Sequence, residues 1–252
     1  MKAVGVIPAR YASTRFEGKP LADLCGKPVI QRVYESAARS RLLERVVVAT
    51  DDARIFDCVK GFGGEAVMTS RRHRSGTDRM IEASKGIRAD VFVNIQGDEP
   101  FIQARLIDAV VRPLAQERNL CVSTAAVRIT ERDEIENPNN VKVVIDARGD
   151  ALYFSRSPIP YVRDGKDRGR ARYYKHIGIY GYRKSFLRGF SALPYSRLEE
   201  TEKLEQLRVV EAGYKIRVIV TKCCTAGIDT KEDLARAQEL FLRTPRLRAG
   251  RP

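Results

Sequence analysis

Arg10, Ser13, Thr14, Arg15 and Lys19 fall within ten residues of one another, set among small residues just after the apolar run Val4-Gly5-Val6-Ile7. Buried parallel strands read as short β-branched runs, and ligands of α/β proteins bind off their carboxyl ends. Three cations and two hydroxyls at such an end suit a polyphosphate. Arg and Lys supply charge, and backbone N–H groups can come close where side chains are small. The spacing is not that of a P-loop: G-x-x-x-x-G-K-[ST] is absent, and Lys19 precedes Pro20 instead of opening a helix. The plainer reading of the same residues is a basic surface loop after a first strand that Pro8 ends.

Acids stand in comparable settings. Gln96-Gly97-Asp98-Glu99-Pro100 follows the apolar run Val91 to Ile95, where a carboxylate beside a Gly suits a hard cation such as Mg²⁺. The same residues also read as a turn with a helix-capping Asp. Asp229, in Gly227-Ile228-Asp229-Thr230, precedes the last helical pattern and by itself reads as an N-cap. Two metal-binding Asp together with a basic phosphate loop would make a nucleotidyl-transfer site. Ser75-Gly76-Thr77-Asp78-Arg79 is a small-residue turn into a helix, open to backbone contacts with a base, ribose or phosphate, or simply a helix start. His176 lies in an alternating strand, where a hydrogen-bonded core histidine is the ordinary case. Glu205 and Gln206 sit beside the apolar stripe Leu204, Leu207 and Val210, facing a cleft or solvent.

These residues need a scaffold, and the patterning supplies an α/β one. Strands are expected at Val46 to Ala49, Glu65 to Met68 and Val91 to Ile95, alternating with helices at Ala53 to Lys60 and Thr77 to Lys85. Such alternation predicts a mostly parallel sheet with helices on both faces, a three-layer α/β/α arrangement. From Asn137-Pro138-Asn139-Asn140 the rhythm changes. Val141 to Asp146 and Ala151 to Phe154 read as a hairpin turning at Arg148-Gly149-Asp150, and Pro158 and Pro160 exclude helix in the turn-rich stretch that follows. A helix over Leu198 to Glu211, a strand over Ile216 to Val220 and a helix over Asp229 to Leu242 complete the chain. The expectation is one domain over residues 1–242, with an antiparallel insertion at roughly 138–195 and a basic flexible tail at 243–252.

Composition excludes several classes. The chain has 252 residues, 43% of them hydrophobic and 31% charged, the balance of a soluble globular protein. The longest N-terminal apolar stretch, Ala3 to Ile7, is too short for a signal-peptide core, and no run approaches a membrane span. Five cysteines without a C-x-x-C pair fit reduced thiols in a cytosol, and two histidines argue against a His-rich metal site. The net charge of +14 raises the question of nucleic acid. The tail from Arg243 carries +4 and the loop from Arg163 to Arg172 carries +3, so half of the excess sits in segments not expected to form one face. No nucleic-acid-binding motif accompanies them, and no nucleic-acid partner is expected.

Taken in order, IPARYASTRFEGKPLADLCGKP, ATDD, SGTDR, VNIQGDEP, NPNNVKVVIDARGDALYFSRSPIPY, YKHIGIYGY, TEKLEQLRVVEAGYKI and GIDTKEDL resemble the 3-deoxy-manno-octulosonate (Kdo) cytidylyltransferases, from about residue 3 to residue 240. The resemblance implies a Rossmann-like nucleotidyltransferase sheet with an inserted dimerisation segment, and a homodimer. It also implies transfer of CMP from CTP to Kdo with Mg²⁺, for lipopolysaccharide synthesis. Under it, Arg10, Ser13, Arg15 and Lys19 match the triphosphate loop. Ser75, Gly76 and Thr77, with backbone near Pro8 and Ala9, match the cytidine-binding parts. Asp98 and Asp229 match the metal ligands, with Gln96 beside the first and assigned to both nucleotide and sugar. His176, Tyr180, Glu205 and Gln206 match residues holding the sugar acid, and Arg156 and Arg163 flank it. Arg10, Lys19, Asp98 and Asp229 are the expected catalytic set. Glu17 departs from the pattern inside the phosphate loop and is expected to face solvent. The run from Arg71 to Arg74 is more basic than usual for relatives. An 8-amino-Kdo or another sugar acid remains an alternative acceptor.

Overall fold

A computed structural model describes residues 1–73, 75–164, 171–223 and 226–243. Most of the expected basic tail, the centre of the loop from Arg163 to Arg172, and Arg74 lie outside the described residues. The chain divides into two compact units, residues 1–108 with 225–252, and residues 109–224. The segment expected as an insertion falls within the second.

In the first unit β1 (Ala3–Ala9), β2 (Arg45–Thr50), β3 (Glu65–Met68) and β4 (Val91–Asn94) are all parallel, in the order β3-β2-β1-β4. Between them run α1 (Val29–Ala37), α2 (Ala53–Gly61) and α3 (Gly76–Lys85). Val4, Val6, Ile7, Val47, Val48, Phe92 and Val93 are buried, as β-branched and aromatic residues covered on both faces should be. Asp52 caps α2 through Arg54 N, and Ser75 and Asp78 form a reciprocal capping box on α3. The first strand does not stop at Pro8 as the sequence suggests. It continues to Ala9, with Pro8 opposite Ala49 of β2. Pairing with β4 ends at Val6 opposite Asn94, so the missing N–H of Pro8 falls where no ladder bond is needed on that side.

A helix α4 (Ala104–Gln116) leads into the second unit. There β5 (Val122–Ile129) precedes α5 (Arg132–Glu136), and β6 (Lys142–Ile145) and β7 (Ala151–Ser155) form the expected hairpin. They are followed by β8 (Tyr173–Arg183), α6 (Lys184–Phe190), α7 (Arg197–Glu202), α8 (Gln206–Glu211) and β9 (Ile216–Thr221). β5 is flanked by β8, antiparallel, and β9, parallel. The helix expected over Leu198 to Glu211 is two helices, because Lys203 adopts a left-handed conformation at φ 53°. Past the break, Val209 rather than Val210 joins Leu204 and Leu207 in the core. The chain then returns to the first unit with α9 (Lys231–Arg243). The α/β class with mostly parallel strands and an antiparallel segment is therefore as expected. Among the described residues no helix is long and apolar enough to cross a membrane.

Candidate active site

Beyond Ala9 the chain leaves the carboxyl end of β1 and lines a cleft of about 390 Å³ with Arg10, Ser13, Thr14, Arg15 and Lys19 on one side and Gln96, Gly97 and Asp98 on the other. Gly18, at φ 70°, turns the chain so that Lys19 opens a short 3₁₀ turn, Lys19–Leu21. Lys19 thus does begin a helical turn, contrary to the sequence reading. Gly97 is needed for a close backbone approach. A Cβ there would sit 2.8 Å from the Pro8 carbonyl oxygen, so the glycine lets the segment after β4 close against β1.

Both acids turn out not to be helix caps. Helix α4 begins only at Ala104, six residues beyond Asp98. At α9 the cap is Thr230, whose hydroxyl accepts from Asp233 N while Asp233 Oδ2 accepts from Thr230 N and Asp229 N. The Asp229 carboxylate is left to face the basic loop. Lys19 Nζ lies 2.6 Å from Asp98 Oδ2 and 3.3 Å from Asp229 Oδ1, and Arg15 reaches Asp229 Oδ1 at 3.1 Å. Two carboxylates from the unit's two separate chain segments therefore converge on one point now held by an ammonium.

Arg10 is half-buried, and its Nη2 is buried without a hydrogen-bond acceptor among the described residues. Burial and the neighbouring Arg79 guanidinium pull its pKa down, against Asp51 and Asp78, which push it up. A donor in that condition is suited to an anion. Arg79 itself was not singled out in the sequence. It is fully buried, donates from Nη1 to Thr69 Oγ1 at 2.5 Å, and pairs with Asp51 at 3.0 Å. Its only sequence signal is its place in SGTDR, four positions past the helix cap. Ser75 serves as that cap, so its hydroxyl is engaged with Asp78 N. Glu17 is exposed, as expected. His73 pairs with Glu82.

Apart from Gln96, which lines the first unit's cleft, the residues matched to the sugar acid lie in the second unit. His176 and Tyr180 are four positions apart on β8, which in a regular strand is about 13 Å. Their ring centroids are 5.2 Å apart. A bulge accounts for the difference: Thr124 of β5 pairs with Tyr180 while Ala125 pairs with Ile177, leaving Gly178 and Ile179 unmatched. Thr124, which the sequence did not mark, pins the bulge. Its hydroxyl is 2.7 Å from the Ile179 carbonyl, 3.3 Å from that of Ile177 and 2.9 Å from His176 Nε2. Carbonyls only accept, so the single hydroxyl proton goes to them and His176 Nε2 must carry its own hydrogen. The ring is not wholly closed off by surface area, yet its enclosure against Phe154, Tyr180 and Thr124 removes it from water and pushes its pKa down to about 3. Burial, and then the Glu205 carboxylate, push Tyr180 well above the usual tyrosine range. Gln206 is buried at the start of α8. Arg156 spends its donors on structure, Nε to the Glu202 carbonyl and Nη1 to the Pro138 carbonyl. Arg163 is exposed.

Residues 4–216 match the family model described as cytidylyltransferase. The 3-deoxy-manno-octulosonate cytidylyltransferase of Syntrophus aciditrophicus is 52% identical over 244 residues, covering 96% of this chain and 98% of the relative. That of Syntrophobacter fumaroxidans is 53% identical over 237 residues, covering 93% and 94%. Among solved structures, a CMP:2-keto-3-deoxy-manno-octonic acid synthetase complexed with CTP superposes with a TM-score of 0.92 at 46% identity, covering 96% of this chain and 99% of the other.

Proposed function

The chain belongs to the cytidylyltransferase family, and on that premise we propose that it transfers CMP from CTP to the 2-hydroxyl of 3-deoxy-manno-octulosonate, releasing pyrophosphate. The observation that carries the reading is the convergence of Asp98 and Asp229 on one cation at the mouth of the Arg10–Lys19 loop. The first unit supplies the nucleotide site. Arg10, Arg15 and Lys19 neutralise the triphosphate and the departing pyrophosphate, from a loop whose backbone is already folded at the cleft. No side-chain nucleophile is needed, because the sugar hydroxyl itself attacks the α-phosphate. Asp98 and Asp229 would hold Mg²⁺. Their donor set fits a hard cation, since two carboxylate oxygens already meet around one positive charge and phosphate oxygens can complete the shell. When bound, Mg²⁺ neutralises phosphate charge and acidifies the attacking hydroxyl. In the second unit His176, neutral with its hydrogen on Nε2, presents Nδ1 as an acceptor for a sugar hydroxyl, and Tyr180 remains a phenol able to donate.

The product is a building block for lipopolysaccharide. We place the enzyme in the cytoplasm, which the free thiols of Cys25, Cys58, Cys121 and Cys223 support. We read it as a homodimer, supported by Leu152 and Val220 of the second unit, apolar side chains 57% and 52% exposed. The test of the activity is pyrophosphate release from CTP and Kdo with Mg²⁺. Asp98→Asn and Asp229→Asn should each lower kcat by roughly 10²–10³-fold with the fold intact, as loss of a charge-stabilising group does. Wild-type rates in both would refute the site.

A further inference from the structure

Lys19 occupies the very position that a cation shared by Asp98 and Asp229 would take. Its side chain is only 14% exposed, and its Nζ contacts both carboxylates at 2.6 and 3.3 Å. With Arg15 also on Asp229 at 3.1 Å, the cluster holds two negative and two positive charges. A divalent ion approaching the free protein meets a neutral group, and to reach both carboxylates it must displace an ammonium already in direct contact with them. A triphosphate changes that balance. Its oxygens are strong acceptors for ammonium and guanidinium donors, and they compete with the carboxylates for Lys19 and Arg15 in the same cleft. The backbone need not move for this exchange. Lys19 N donates to the Phe16 carbonyl and Ala22 N to the Lys19 carbonyl, so the turn is fixed and the four-carbon stem is the moving part.

We propose that Lys19 is the resident counter-ion of the Asp98–Asp229 pair and makes metal binding depend on nucleotide. Divalent metal binds the free protein weakly, and a bound triphosphate admits it by drawing the ammonium away. The coupling is reciprocal, so metal in turn strengthens triphosphate binding. This rests on the nucleotidyl-transfer reading of the site.

The test uses Mn²⁺ as probe and the full chain without nucleotide, with free Mn²⁺ counted by electron paramagnetic resonance. Lys19→Met should bind Mn²⁺ about tenfold or more tightly than wild type, because removing one contacting charge leaves the cluster net negative. Adding Asp98→Asn to Lys19→Met should abolish the gain. Equal affinity in Lys19→Met and wild type would overturn the proposal, as would a gain that survives Asp98→Asn. A second measurement needs no variant. Acylation of Lys19 in the wild-type protein, followed by mass spectrometry, should speed up several-fold when millimolar Mn²⁺ is added, since displacement frees the amine. An unchanged rate with Mn²⁺ bound would equally overturn it. Failure of CMP transfer in the pyrophosphate assay would refute the function and leave both metal results standing, so the two ideas fail separately.

Discussion

Thr124→Val removes one oxygen from the second unit and should disturb both its stability and the sugar site proposed there. The hydroxyl is fully buried, donates to the Ile179 carbonyl at 2.7 Å and accepts from His176 Nε2 at 2.9 Å. Valine keeps the β-branched shape that suits strand β5, so the perturbation is chemical, with little change of volume. It leaves a buried carbonyl and a buried N–H without partners, each costing about 1–3 kcal/mol. Burial of a methyl in place of the hydroxyl offsets about 1 kcal/mol. The net expectation is a loss of roughly 1–5 kcal/mol, read as a lower urea midpoint with an unchanged slope. The same change unpins the bulge at Gly178 and Ile179 that brings His176 and Tyr180 together. The KM for the sugar acid should therefore rise while the KM for CTP stays within about twofold. Thr124→Ser, which restores the hydroxyl, should recover most of both effects. A Thr124→Val protein with the wild-type midpoint and wild-type sugar KM would refute the claim that this hydroxyl holds the site's geometry.

Other consequences can be measured independently. His176 stays neutral in the folded chain down to about pH 3 but titrates near 6.5 when unfolded, so acid favours the unfolded state. The stability it contributes is complete above about pH 6.5 and is lost progressively as pH falls toward 3, at up to about 1.4 kcal/mol per pH unit. A His176→Gln protein should lose about 2 kcal/mol less than wild type between pH 7 and pH 5, and parallel pH profiles would contradict this. Arg79→Met leaves Asp51 without its guanidinium and Thr69 without a donor, and should destabilise the protein by roughly 2–4 kcal/mol in thermal or urea unfolding. Since Arg79 also depresses Arg10, the surviving Arg10 should become harder to deprotonate, and any defect in CTP affinity should trace to misplacement of the loop. Ser75→Ala should cost about 1 kcal/mol through loss of the α3 cap, with Ser75→Asp close to wild type.

Much of the first unit was legible from local pattern. Short β-branched runs alternating with capped helices can form few structures other than a parallel sheet covered on both faces, and strands β2, β3 and β4 appear within a residue or two of where the runs place them. The basic loop after β1 and the acids after β4 and before α9 were visible as residue types at strand and helix ends. Pro8 misled, because a missing N–H ends a strand only where a neighbour requires that donor, and which neighbours exist is not a local property. The Lys203 break was missed for a related reason. Leu198 to Glu211 has unbroken helical periodicity, whereas the break coincides with Glu202 turning to Ser155 and Arg156, some 46 residues away in sequence.

By itself, then, the sequence determined the class of fold, the clustering of cations in the loop from Arg10 to Lys19 and, through its ordered motifs, the family. The tertiary structure decided where each acid points. Asp229 could have been a helix cap until Thr230 and Asp233 were seen to fill that place. Asp98 and Asp229 are 131 positions apart, and only the folded chain brings their oxygens to one ammonium. The 5.2 Å approach of His176 to Tyr180 is of the same kind, for it depends on a bulge held by a hydroxyl from another strand. Local pattern records what each residue can do, and charge and hydrogen bonding across long sequence separations decide which of those possibilities is used.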